Sequence, residues 1–78
     1  MIHKIVSIYD VKSECFGTPV FVKALPEAIR SFGETVNDPD KSNNFAKWPA
    51  DHSLFYIGEY DDATGEIVCY PPEQLVTA

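Results

Sequence analysis

Residues 49–78 contain no lysine and no arginine; all six basic residues of the 78-residue chain lie within positions 1–48. Six acids balance those bases in the N-terminal part. Asp51, Glu59, Asp61, Asp62, Glu66 and Glu73 have no such counterpart, so the whole net charge of −6 sits in the C-terminal part. Nucleic-acid affinity comes largely from basic side chains that displace counterions from phosphates. The C-terminal part is therefore excluded as a phosphate-binding surface, and any DNA contact must use the N-terminal part. Long apolar runs are missing as well. Nothing approaches the ~18 residues needed to span a bilayer, and the opening MIHKIVSIYD has neither the apolar core nor the cleavage site of a secretory signal. The expectation is a cytosolic protein with no membrane contact. Cysteine is scarce: Cys15 and Cys69 match no zinc or redox spacing, and in a reducing cytosol they are expected as small buried apolar residues.

Other absences remove the common forms of catalysis. The four glycines form no phosphate-cradling loop ahead of a helix, and no Ser or Cys occupies a glycine elbow. His3 and His52 have no second ligand at helical or hairpin spacing, and both are expected at the surface. The segment starting at Asp38 offers alternating oxygen ligands, but Asn43 and Pro49 stand where a calcium loop needs Gly and Glu. The expected protein is not an enzyme and binds no metal or cofactor. At this length the chain is one domain, 1–78, able to bury roughly 60% of its unfolded surface. Such domains often gain stability by associating.

What is present reads as α+β. Residues 2–11, IHKIVSIYDV, form a strand with Ile2, Val6 and Ile8 on one face and His3, Ile5, Ser7 and Tyr9 on the other. Apolar groups on both faces favour a central strand. Residues 12–22 form a loop broken by Gly17 and Pro19, extended at Val20–Val22, with Phe16 and Phe21 expected on the core. In residues 25–38, Leu25, Ala28, Ile29, Phe32 and Val36 recur at helical spacing. Pro26 suits the first turn of that helix, and Pro39 ends it. Gly33, on the apolar stripe, suggests a close backbone approach to the sheet. Residues 37–53 form a polar loop with one helical turn near Asn43–Trp48, Asn43 being the candidate N-cap and Phe45 and Trp48 sharing a side.

A hairpin follows, with strands over 53–60 and 66–70 joined by DDATG, in which an Asp opens the turn and Gly65 supplies a positive φ. Pro71 and Pro72 are expected to end the second strand, leaving 71–78 as a tail that docks or frays. The expected fold is β-α-β-β, a small antiparallel sheet of three to four strands with one amphipathic helix on one face. The other face then needs cover from 12–24, from 37–53 or from another molecule.

Two groups of residues are candidates for recognition. Lys41, Phe45, Lys47 and Trp48 combine cations with stacking aromatics, as single-strand binders do, although Glu34, Asp38, Asp40 and Asp51 lie nearby. Tyr56, Tyr60 and Tyr70 make the hairpin aromatic, and with no base interleaved they suit self-association better than base stacking. In order, YDVKSECFGTPVF, AIRSFGETVNDP and LFYIGEYDDATGEI resemble the small non-structural protein of gokushovirus-type microviruses, bacteriophages with single-stranded DNA. The resemblance implies a protein absent from the virion, resident in the host cytoplasm, acting in genome replication or packaging, and brings no catalytic residues. Together with the charge it leads to an expected homodimer that regulates by contacting phage or host replication proteins. The alternatives are a direct single-stranded-DNA binder using the Lys41–Trp48 loop and an acidic inhibitor of a host nucleic-acid enzyme.

Overall fold

The computed structural model describes residues 1–39 and 44–77. Strand β1 (Ile2–Asp10) is followed by two short strands, β2 (Cys15–Phe16) and β3 (Val20–Val22), and by helix α1 (Leu25–Val36). A single turn of helix, α2 (Asn44–Lys47), and a 3₁₀ turn (Pro49–Asp51) lead into the hairpin of β4 (His52–Asp61) and β5 (Glu66–Thr77). Every pairing is antiparallel, in the order β2-β1-β4-β5, with β3 also on β1. The chain is a small α+β fold with a five-stranded sheet and one main helix. The 12–22 segment contributes two of those strands: Phe16 pairs with Tyr9, and Val20–Val22 with Val6–Lys4.

β1 is central, as its two-sided apolar pattern requires, and it pairs with β4 along its full length. Val6 and Ile8 face α1, where Val6, Ala28, Phe32, Val36 and Leu54 make the buried core, joined by Val22, Leu25, Phe45, Leu75 and Val76. Helical spacing places Ala28, Phe32 and Val36 on this one stripe. Pro26 occupies the first turn, and the helix closes where the backbone and side-chain amides of Asn37 donate to the Gly33 carbonyl. Gly33 does not approach the sheet: a Cβ there would meet nothing within 4 Å. Its place on the stripe reflects periodicity alone.

Two irregularities set which side chain faces where. Ile5 pairs with Gly58 but Val6 pairs with Tyr56, so Ile57 is an extra residue that reverses the alternation along β4. β5 does not stop at its prolines. It continues to Thr77, pairing Glu73 with Tyr56 and Val76 with Leu54, while Tyr70–Pro72 span the irregular stretch opposite Ile57. β5 is an edge strand, where a missing N–H is tolerated, and Leu75 and Val76 anchor its end on the core. The turn follows its sequence: Gly65 has φ of 77° and donates to the Asp61 carbonyl at 2.7 Å, and Asp61 Oδ1 accepts from the Ala63 amide at 2.9 Å.

Three further expectations are corrected. Phe16 and Phe21 are 42% and 47% exposed and lie on the sheet face away from α1, because their pairing with Tyr9 and Ile5 fixes their side. Cys15 and Cys69 are both exposed and form no disulfide, since each lies on an outer strand. His52 is buried, and His3 is half-buried with its Nε2 2.9 Å from Asp62. Asn43, the candidate cap, lies outside the described residues. Among the described residues no helix is long and apolar enough to cross a membrane.

Candidate interaction face

Residues paired across antiparallel strands point to the same side, so the register lays out the face that α1 leaves open. At one end Phe16, Tyr9, Ser53 and Thr77 form a row; Ser7, Phe55 and Gln74 form the next. Beyond the Ile57 irregularity come Phe21, Ile5, Gly58 and Cys69, and then His3, Tyr60 and Ile67. The aromatic rings meet in two groups. Tyr9, Phe16 and Phe55 have centroids 4.9 to 6.0 Å apart, and Tyr60 lies 5.5 Å from Phe21, edge to face, and 5.9 Å from His3. Among these rows only Ile5, Ser7, Ser53 and Gly58 are buried. This aromatic layer is half exposed, whereas on the opposite side Val6 and Leu54 are buried with α1, beside an open apolar groove that Val20, Val22 and Phe45 also line.

Gly58 is required at its place. A Cβ there would fall 2.5 Å from the Val68 carbonyl oxygen, so β4 and β5 pass too closely for any side chain. None of the residues in the four rows is Lys, Arg, Asp or Glu, although such residues make up 23% of the chain. Charge has been placed elsewhere.

Much of it lies on the helix side of the sheet, beyond the reach of α1. Glu59 is paired there with the Lys4 ammonium and accepts a hydrogen bond from Tyr70 Oη at 2.6 Å. Tyr56 stacks obliquely on Tyr70 at 5.7 Å, and Lys4 Nζ sits 5.7 Å from the Tyr56 ring centroid. The hydrogen bond from Lys4, followed by that from Tyr70, holds the Glu59 carboxyl down to about 2. The same contacts push Lys4 and Tyr70 up, and Tyr56 rises chiefly through burial. At the hairpin turn Asp62 accepts from the N-terminal ammonium at 2.7 Å and lies 2.9 Å from His3 Nε2; both lower its pKa, the ammonium most.

The three candidate tyrosines are thus divided. Tyr56 and Tyr70 share the charged cluster on the helix side, while Tyr60 stands in the open aromatic face, carried there by the extra residue at Ile57. The proposed DNA-contact loop is divided as well. Phe45 turns inward to pack on the core and meets the His52 ring edge-on at 4.9 Å, so it cannot stack a base. Trp48 is 51% exposed with Lys47 Nζ 4.7 Å from its ring centroid. Lys41 lies outside the described residues. Beside Trp48, Asp10, Asp51 and the buried His52 line a shallow hollow; His52 Nδ1 is 2.9 Å from the Trp48 carbonyl and its Nε2 is 3.8 Å from Asp10. Asp10 is held below the usual carboxylate range, mainly by the Lys12 backbone N–H.

The family model described as Phage ORF5 protein matches residues 3–78. The chain belongs to the Phage ORF5 protein family. No curated protein and no solved structure matches it. For this family member, Tyr9, Phe16, Phe21 and Phe55 were missed as a surface by sequence reasoning. Their shared side becomes visible only once β2 and β3 are known to pair with opposite halves of β1. The signal available was the apolar content on both faces of β1 and of the 53–60 strand. Among the described residues, no three His, Cys, Asp or Glu side chains are grouped to hold a metal.

Proposed function

We propose that this phage protein catalyses no reaction and acts by protein contact, most simply as a homodimer, in replication or packaging of a single-stranded viral DNA genome. It acts in the host cytoplasm and stays out of the virion. One observation carries the contact reading: a sheet face rich in half-exposed aromatics and lacking charge lies uncovered on a chain of net charge −6. Interface cores are depleted of charge and enriched in Tyr and Phe, and exposed apolar patches of this kind mark interaction sites. The setting in a single-stranded-DNA phage rests on the ordered sequence blocks that resemble the microvirus protein and on membership of a phage family. The experiment is infection with phage in which this reading frame is silenced, followed by separation of duplex and single-stranded viral DNA. The expected result is retained duplex and depleted single strands; an unchanged ratio rejects the proposal.

Exposed Trp48 with Lys47 over its ring favours a second reading, direct contact with single-stranded DNA. Titrating oligonucleotide at low salt tests it through Trp48 fluorescence. Salt-sensitive quenching supports the binder, and unchanged emission removes it.

A further inference from the structure

We infer that the open aromatic face is the seat of a second copy of this chain, packed face to face around Phe16, Phe21, Phe55, Tyr60 and Ile67. The inference rests on the contact reading above and names its surface. Three candidate occupants differ in what they require of the face. A nucleic acid requires cations among the aromatics, and a basic protein requires anions; the four rows hold no Lys, Arg, Asp or Glu, and their one histidine, His3, is already engaged by Asp62. A second copy requires a patch that is compatible with itself, and an uncharged one meets its twin without like-charge repulsion. Four of the six C-terminal acids are also placed to allow it, while Asp62 lies at the margin of the face, 2.9 Å from His3 Nε2. Glu59, Asp61, Glu66 and Glu73 belong by register to the opposite side of the sheet, so packing the open faces together turns them outward.

The strand edges point the same way. Sheet proteins also dimerise by pairing edge strands, but β5 lacks two consecutive N–H donors at Pro71 and Pro72. The other edge is built from strands of two and three residues interrupted by Pro19. Both edges are blunted, which leaves the face. Phe16, Phe21 and Ile67 are 42%, 47% and 55% exposed in the single chain, and a second copy covers them.

Sedimentation of the full chain tests the inference, with Phe21→Lys and Ile67→Lys as separate variants. Each of these side chains is about half exposed, so far-UV circular dichroism should show a retained fold, and having two variants protects the test should one misfold. The expected wild-type mass is twice 8.7 kDa. Burying an uncompensated ammonium in either variant should weaken the dimer by at least about tenfold. A wild-type chain that stays monomeric, or a dimer that both variants leave intact, overturns the inference. The infection experiment reads genome balance and the sedimentation experiment reads mass, so failure of the functional reading leaves a dimer seen here standing.

Discussion

Both faces of the sheet carry apolar side chains, mainly aliphatic on the helix side and mainly aromatic on the open side, and the residues nearest α1 are buried far more deeply. Under α1, Val6, Phe32, Val36 and Leu54 are each 5% exposed or less, whereas on the open side Phe16, Phe21 and Ile67 exceed 40%. One helix covers one face, and among the described residues no second layer covers the other. The contrast separates packing from exposure across the thickness of the sheet: Val6 and Leu54 are buried with α1 on one side, and half-exposed aromatics lie on the other.

Paired truncations test that contrast with the largest expected effect. Phe32→Ala removes a ring from the sealed core and should cost about 3 to 5 kcal/mol, enough to unfold much of a domain this small. Phe21→Ala removes a ring of the same size from the open face and should cost about 1 kcal/mol in the isolated chain, since half its area is already wet. Urea denaturation of both variants at a dilution that favours monomer checks the pair. Equal losses would mean that the open face is core after all.

Glycines give the second comparison. Gly58→Ala forces a methyl group onto the Val68 carbonyl and should destabilise by about 2 to 3 kcal/mol, because backbone on both strands must move. Gly33→Ala places its methyl in open space on a helix and should stabilise by up to about 1 kcal/mol. Thermal melts of the two variants should shift in opposite directions, and a gain from Gly58→Ala would contradict the packing described for β4 and β5.

A smaller effect is expected from the charged cluster on the helix side. The Glu59 carboxyl is lowered from 4.5 to about 2 on folding, so its contribution is fully present above 4.5 and is lost as pH falls from there toward about 2. Asp62 is lowered as well and adds to the acid loss below its ordinary 3.8. Glu59→Gln should flatten the fall of stability through that window while leaving the mass of the assembly unchanged, since Glu59 lies off the open face. An equally steep acid fall in the variant would place the titrating group elsewhere.

How far the sequence could be read depended on how local each signal is. The α1 stripe and the DDATG turn are written in consecutive residues, through a 3.6-residue period and through Asp and Gly chemistry; the turn appears as read, and of the stripe Ala28, Phe32 and Val36 are buried while Ile29, at its margin, is exposed. The direction of side chains along β4 is not local. It depends on Ile57 being extra relative to β1, which only the pairing reveals, and so Tyr56 and Tyr60, which the sequence groups as one self-association surface, belong to two faces. Pro71 and Pro72 were misread for a related reason: a proline ends a central strand but not an edge strand, and edge position is a property of topology. Phe16 and Phe21 resemble core residues until the short strands that bear them pair on the far side of β1 from β4.

If a face without Lys, Arg, Asp or Glu joins two copies, with Glu59, Asp61, Glu66 and Glu73 turned outward, the salt dependence of self-association should show it. Two chains of net charge −6 repel at long range, and salt screens that repulsion without weakening apolar contact. Sedimentation equilibrium across a salt series should therefore show a dimer whose dissociation constant falls as salt rises. A dimer loosened by salt would reveal an interface built from ion pairs, and a monomer at every salt concentration would remove the claim.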